Sequence, residues 1–291
     1  MHGQGLRDNN CEEKMADDKH TVTYDLLSHT HFPSVSADIE VSATPEELQQ
    51  FEQSGYLVRE GLFSGEALVA LQDALDRLEE RESSPFQDPK TGKKSWGWIP
   101  RHLMDKDPAF LDLLKFQPTL SVARAMMGPL VRLRGLSARI SYPASTPQQT
   151  PWHQHMRVIT DPLPPWFSRP HCIDVLIYLD DLNDDTGPVA IVPGSHNWLD
   201  RAPPHDVYES VDGELEVRVE AGGGVMIHGN LWHRGMPTLR AKRRMLILSY
   251  TPTWLRKSPH GGPQPEDGLT QDVLDGEDEE ARILLGKGGY T

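Results

Sequence analysis

The segment Trp152-His153-Gln154-His155 places two imidazoles two positions apart. On extended backbone such residues point to the same side. His153 and His155 are thereby suited to face one cavity and bind one metal. A third ligand must then come from far along the chain, on a facing strand. His233, in Asn230-Leu231-Trp232-His233, is the best-placed candidate, and His228 is the alternative. Two near ligands and one distant ligand leave coordination positions open for substrate and oxygen, as non-haem iron sites require. Taken alone, the pair also suits a hydrogen-bonding or surface role.

The remaining histidines read differently. His196, after Pro193-Gly194-Ser195, reads as a turn-stabilising side chain. His171 and His205 read as loop residues, and His2, His20, His29, His31 and His260 lie in the polar ends. The run Gly222-Gly223-Gly224 suits a hairpin turn rather than a phosphate cradle, because no Lys-Ser/Thr follows it. Trp96 and Trp98 suit core packing, a lid or a pocket wall. Arg243-Arg244 opens the apolar run Met245–Tyr250, shortly after His233. An arginine at the start of a buried strand is costly unless paired. Its planar fork matches a carboxylate bidentately.

The elements that must position these groups fall into two parts. Thr44-Pro45-Glu46-Glu47 carries a capping box with proline at the first helical position, and Gly55 suits the stop. A second helix is expected from about Ser64, with Leu68, Leu71, Leu75 and Leu78 on one face. Asp107-Pro108 opens a third, and a fourth runs over 118–127, stopped by Gly128-Pro129. From about residue 131 the texture becomes short apolar runs with turn-rich spacers: VRLRGLSARISY, IDVLIYL, VAIV, LEVRV, GVMIH and MLILSY. Helices first and strands later predict a mainly β protein with helices buttressing a jelly-roll core. The expected organisation is a polar segment over 1–40, one domain over 41–257 (helical part 44–128, β core 131–255) and an acidic Pro/Gly-rich tail over 258–291.

Composition narrows the function classes. The 291 residues carry a net charge of −14. Residues 1–40 hold eight acids against three Lys/Arg, and residues 266–280 hold eight acids and no Lys/Arg. The acidity therefore belongs to the ends and says nothing about a cationic substrate. It also argues against a nucleic-acid partner, which calls for a basic patch. No run approaches the length of a membrane span, and the first residues lack a signal-peptide core, so a cytoplasmic protein with no membrane partner is expected. With only Cys11 and Cys172, a disulfide framework or cysteine zinc site is not available.

These residues together resemble the phytanoyl-CoA dioxygenase family of iron(II)/2-oxoglutarate-dependent oxygenases. The resemblance spans about 45–255. It runs through Phe51-Glu52-Gln53-Ser54-Gly55-Tyr56-Leu57-Val58, Trp152-His153-Gln154, Ile177-Tyr178-Leu179-Asp180-Asp181 and Gly187-Pro188. Val192-Pro193-Gly194-Ser195-His196, Leu231-Trp232-His233 and Arg244 complete it. It implies a double-stranded β-helix (jelly-roll, cupin-like) core, a mononuclear Fe(II), and 2-oxoglutarate as cosubstrate. It also implies dioxygen and a small-molecule substrate as partners. Carried over, His153 is the proximal ligand and His233 the distal one. Arg244 holds the distal carboxylate of 2-oxoglutarate, with Arg243 as the fallback if the register slips by one. Gln154 contacts the cosubstrate or steadies the loop. Substrate contacts are expected from 90–101 and 156–172.

The chain departs from the family at two points. The family serine two residues past the distal histidine is Gly235 here, so its contact is missing or supplied elsewhere, with Thr238 as one source. The family pattern is His-X-Asp, whereas this chain has His153-Gln154-His155. An imidazole for a carboxylate leaves the site one unit more positive. Either His155 ligates, or water or an acid such as Asp161 completes the shell, or the site binds without turnover. Histidine is bulky and leaves no vacancy for a halide. The expected activity is hydroxylation or other oxidation of a small organic molecule. The alternatives are a three-histidine iron dioxygenase independent of 2-oxoglutarate and a non-catalytic binding protein on the same fold.

Overall fold

The computed structural model describes residues 20–26, 35–82, 97–143, 149–155, 171–198, 201–255 and 268–287. A hairpin of β1 (His20–Leu26) and β2 (Val35–Val41) comes first, inside the stretch whose sequence shows no sustained pattern. Helix α1 (Pro45–Ser54) follows. Its capping box forms as expected: the Thr44 hydroxyl accepts the Glu47 N–H at 3.2 Å, and the Glu47 carboxylate accepts the Thr44 N–H at 2.8 Å. Gly55 ends the helix at φ 81°, where a Cβ would lie 2.5 Å from the His196 ring. That clash and the left-handed backbone both call for glycine.

Strand β3 (Tyr56–Arg59) leads to helix α2 (Gly65–Glu82), which buries Leu71, Ala74, Leu75 and Leu78. The segment expected as a third helix is instead a tighter 3-10 stretch, Pro108–Lys115, capped by the Asp107 side chain. Helix α3 (Gln117–Met127) ends at Gly128. The strands then follow: β4 (Val131–Ser141), β5 (Ile173–Tyr178), β6 (Val189–Ile191), β7 (Leu215–Val217), β8 (Gly224–His228), β9 (His233–Gly235) and β10 (Arg243–Pro252).

Two antiparallel sheets face one another. The larger has the order β3-β8-β5-β10-β4 and the smaller β7-β6-β9. This is a double-stranded β-helix, and the two-residue period of the central strands of its larger sheet sorts their apolar side chains into two cores. Ile173, Val175, Ile177, Met226, Leu246 and Leu248 face outward and pack with the helices. Leu176, Tyr178, Val225, Ile227 and Met245 face inward, against Val189, Ile191 and Val217 of the smaller sheet. Trp98 is buried in the outer core, bridged to Ile140, while Trp96 lies outside the described residues.

The acidic stretch after residue 268 differs from a solvated tail. It forms helices α4 (Leu269–Asp275) and α5 (Glu279–Leu284), and Ala281 and Leu284 join the main core. Its acids are answered from the helical part: Lys115 pairs with Asp278 and Glu280, and Arg124 reaches Glu280 at 2.8 Å. Charge counting within the segment misses these partners because they lie far away in sequence.

His228 shares the outward parity of Met226 and packs near Phe51, with ring centroids 6.4 Å apart. Burial, reinforced by His196 and His171, pulls its pKa down to about 3. The folded state therefore favours the neutral ring. That stabilisation is complete above the unfolded value of 6.5 and is lost as pH falls towards the folded value. Thermal melts should show Tm falling from pH 6.5 to about pH 4, and His228→Gln should flatten part of that slope. An unchanged slope in the variant would remove His228 from the account.

Candidate metal centre

The two distant halves of the site meet through backbone. His153 and His233 form an antiparallel bridge, each donating its N–H to the other's carbonyl at 3.0 Å. Their rings lie 4.2 Å apart by centroid. The His155 N–H donates to the Gly229 carbonyl at 2.7 Å, which turns the third ring in, 5.4 Å from His153 and 4.8 Å from His233. One ring nitrogen from each of the three lies within 4.8 Å of the others. Thus the predicted trio converges.

The tautomers favour coordination. His153 Nδ1 lies 2.9 Å from the Pro151 carbonyl, and His233 Nδ1 lies 2.8 Å from the Leu231 carbonyl. His155 Nδ1 contacts the Asp174 carboxylate. A carbonyl only accepts, so each Nδ1 facing one carries the proton and its Nε2 is the unprotonated ring nitrogen. Second partners of this kind are what orient metal-binding imidazoles. Burial, with His153 and His155 adding to it, holds His233 well below the ordinary histidine value, in its neutral, ligating form. His228 stays out: its ring faces the helices and its Nδ1 accepts the Asn230 N–H at 3.0 Å. His196 Nε2 donates to the Glu52 carbonyl at 2.9 Å, in keeping with a turn-stabilising role.

The expected placement of Arg244 needs correction. Its side chain leaves β10 on the helix side, where Asp180 receives Nε and Nη2 (2.6 Å for the latter) and Asp76 of α2 receives Nη1 at 2.8 Å. Both its carboxylate partners belong to the protein, so it offers no free fork to a cosubstrate. Arg243, one residue earlier and of opposite parity, points inward and is 4% exposed. Its Nη1 donates to the carbonyls of Gly187 and Met236, its Nη2 lies 3.5 Å from Ser141 Oγ, and its Nε has no partner among the described residues. No carboxylate pairs with it among those residues. Burial pulls its pKa down to about 10, with Arg139 acting in the same direction, and the group stays charged at neutral pH. A buried unpaired cation is expensive; an anion bound against it removes the cost.

Gly235 also has a finding attached. A Cβ there would lie 3.0 Å from Thr150 Oγ1 and 3.7 Å from Arg243 Nη2. The Thr150 hydroxyl accepts the Gly235 N–H at 2.6 Å, leaving its own proton to donate. Thr150 thus brings a hydroxyl to the position beside Gly235. Thr238, the other source considered, is fully buried. Sequence reasoning missed Thr150 because its pairing with residue 235 is a long-range backbone contact. Gln154 is partly exposed between the two histidines. Asp161 and most of the two segments from which substrate contacts are expected lie outside the described residues.

Three converging imidazoles and an inward-facing arginine with no carboxylate partner among the described residues fit a mononuclear metal with an anionic cosubstrate. A double-stranded β-helix carrying that combination defines a metal-dependent oxygenase class. The chain belongs to the phytanoyl-CoA dioxygenase (PhyH) family, whose model matches residues 51–246. This is a family of iron(II)/2-oxoglutarate-dependent enzymes, so iron and 2-oxoglutarate are its cofactors. The chain is 25% identical over 199 residues to the uncharacterized protein Rv1501 of Mycobacterium tuberculosis, covering 66% of this chain and 69% of the relative. It is 27% identical over 183 residues to the ectoine dioxygenase of Stutzerimonas stutzeri, covering 60% of this chain and 58% of that enzyme. Among solved structures, HygX from Streptomyces hygroscopicus with nickel and 2-oxoglutarate bound superposes with a TM-score of 0.56 at 19% identity. That match covers 74% of this chain and 89% of HygX. Among the described residues, no helix is long and apolar enough to cross a membrane.

Calorimetric titration with Ni(II) should show His233→Ala losing more than about 100-fold in affinity, beyond what outer partners of a metal ligand typically cost. His228→Gln should bind as the parent does. Equal losses in both would mean the wrong distal histidine has been assigned.

Proposed function

We propose that this oxygenase oxidises a small organic molecule, with hydroxylation as the reaction type. In this reading His153, His155 and His233 bind iron(II) and Arg243 anchors the distal carboxylate of 2-oxoglutarate. The observation that carries the reading is the buried Arg243 guanidinium, without a carboxylate partner among the described residues, on the same barrel interior as three converging imidazoles. Bound iron(II) would supply the centre for dioxygen use and for oxidative decarboxylation of 2-oxoglutarate to succinate.

The chain's own residues do the rest. The Arg243 fork receives the carboxylate bidentately, a geometry that fixes orientation as well as charge. Thr150, already accepting from Gly235, donates its hydroxyl proton to the same carboxylate. Tyr178 faces this interior as a neutral phenol: burial pushes it up to about 12, against the pull of Arg243 and Arg139. Val189, Ile191, Leu176 and Met245 line the barrel and exclude water, so the reacting groups are not quenched by solvent. Gln154 is assigned to the cosubstrate edge.

A three-imidazole donor set is also the one observation favouring a dioxygenase that needs no 2-oxoglutarate. Succinate release separates the two. The proposed function predicts oxygen consumption that depends on 2-oxoglutarate, with one succinate per oxygen molecule. Oxygen use with substrate alone would establish the rival, and failure to bind iron in an intact fold would leave a non-catalytic binding protein. Arg243→Met should raise the Kd for 2-oxoglutarate by about 30-fold or more, corresponding to about 2 kcal/mol for a lost buried charge partner. Arg244→Met should leave that Kd in place and lower Tm, because Asp180 and Asp76 lose their shared cation.

A further inference from the structure

The family's ligand carboxylate is absent at position 155, yet a carboxylate stands one bond network away. Asp174 lies on the inward face of β5 and is 1% exposed. Its Oδ2 contacts His155 Nδ1 and accepts the Cys172 thiol at 3.1 Å, and its Oδ1 accepts the Ser249 hydroxyl. Among the described residues, no lysine or arginine hydrogen-bonds to it, and His155 is its one ion-pair partner. A carboxylate buried this deeply is costly unless compensated. Here its sole hydrogen-bonded cationic route is through the imidazole that turns its other nitrogen to the metal position.

We propose that Asp174 is the displaced counterpart of the missing ligand carboxylate: a positioning residue that locks His155 with Nε2 facing the metal and supplies, through that ring, the negative charge the site would otherwise lack. This rests on the three-histidine reading above. The geometry serves two ends at once. An Nδ1–H donated to a carboxylate fixes ring orientation and tautomer, and it makes the ring a more basic ligand than one donating to a carbonyl, as His153 and His233 do. The charge sum of metal and immediate surroundings then equals that of a site with two histidines and one ligating aspartate. Ser249 and Cys172 hold the carboxylate in line from the other side. Arg134, which faces the same carboxylate, acts on it through charge without a hydrogen bond among the described residues.

The two positions are therefore coupled, and a carboxylate at either one should serve when the other is neutral. The test is a cycle of Asp174→Asn, His155→Asp and the double variant His155→Asp/Asp174→Asn, titrated anaerobically with Co(II) while the visible spectrum of the bound ion is followed. Asp174→Asn should weaken Co(II) binding by about 10- to 100-fold and change the spectrum. His155→Asp alone should also bind weakly, because it sets two carboxylates side by side. The double variant should recover Co(II) affinity to within a few-fold of the parent. An Asp174→Asn protein that binds as the parent does, or a double variant no better than His155→Asp, would overturn the inference while leaving the three-histidine site standing. A parent protein that binds no Co(II) would overturn that site and this inference together. Because Asp174 is buried, NMR of the Zn(II)-loaded parent gives a reading without any variant. The His155 Nδ1 proton should lie furthest downfield of the three ring N–H signals; a position among the other two would count against Asp174.

Discussion

Two reciprocal backbone hydrogen bonds between His153 and His233 hold the site together. They join the loop after β4 to the short strand β9 and fix two rings 4.2 Å apart before any side-chain preference acts. Antiparallel pairing with directly opposed residues sets side chains on the same face close together. Everything else refines that contact. The Gly229 carbonyl brings in the third ring, Pro151 and Leu231 carbonyls orient the first two, and Asp174 orients the third. Behind it, the central strands β5 and β8 of the larger sheet are buried on both faces.

Strand parity decides which charged groups belong to the site. Along β10 the inward set is Arg243, Met245 and Ser249, and the outward set is Arg244, Leu246 and Leu248. Arg244 is satisfied by Asp180 and Asp76 and stitches the sheet to α2. Among the described residues, Arg243 has carbonyl and hydroxyl contacts alone. The same alternation excludes His228 from the metal position and admits Asp174 beside His155. One residue of register thus separates a structural ion pair from the proposed anion site.

Much of this was legible in the sequence, and the reason is local. The His153/His155 pair, the Thr44 capping box, the Gly55 stop and the β8 run Gly224–His228 are each written in a few adjacent residues. His233 was readable as a distant partner from its place in an apolar run. What was not legible depends on tertiary pairing. The parity of Arg243 against Arg244 is a one-residue question, and β10 begins two residues before its apolar core. Thr150 reaches position 235 only through the fold, and Asp174 sits in a run, IDVLIY, that reads as plain core. The helices α4 and α5 hide in an acidic stretch because Lys115 and Arg124, which neutralise them, are far away in sequence. Local rules identify elements and candidate ligands; the surrounding groups that orient those side chains need the folded chain.

The central claim is that three imidazoles and one inward arginine form a single site. An anaerobic crystal structure with Fe(II) and 2-oxoglutarate tests it most directly. The account predicts nitrogen ligands from 153, 155 and 233 at about 2.0–2.2 Å, in the range of ordinary metal–imidazole bonds, with the dicarboxylate's far end on Arg243. An ion held without the 155 ring, or a dicarboxylate resting away from Arg243, would contradict it.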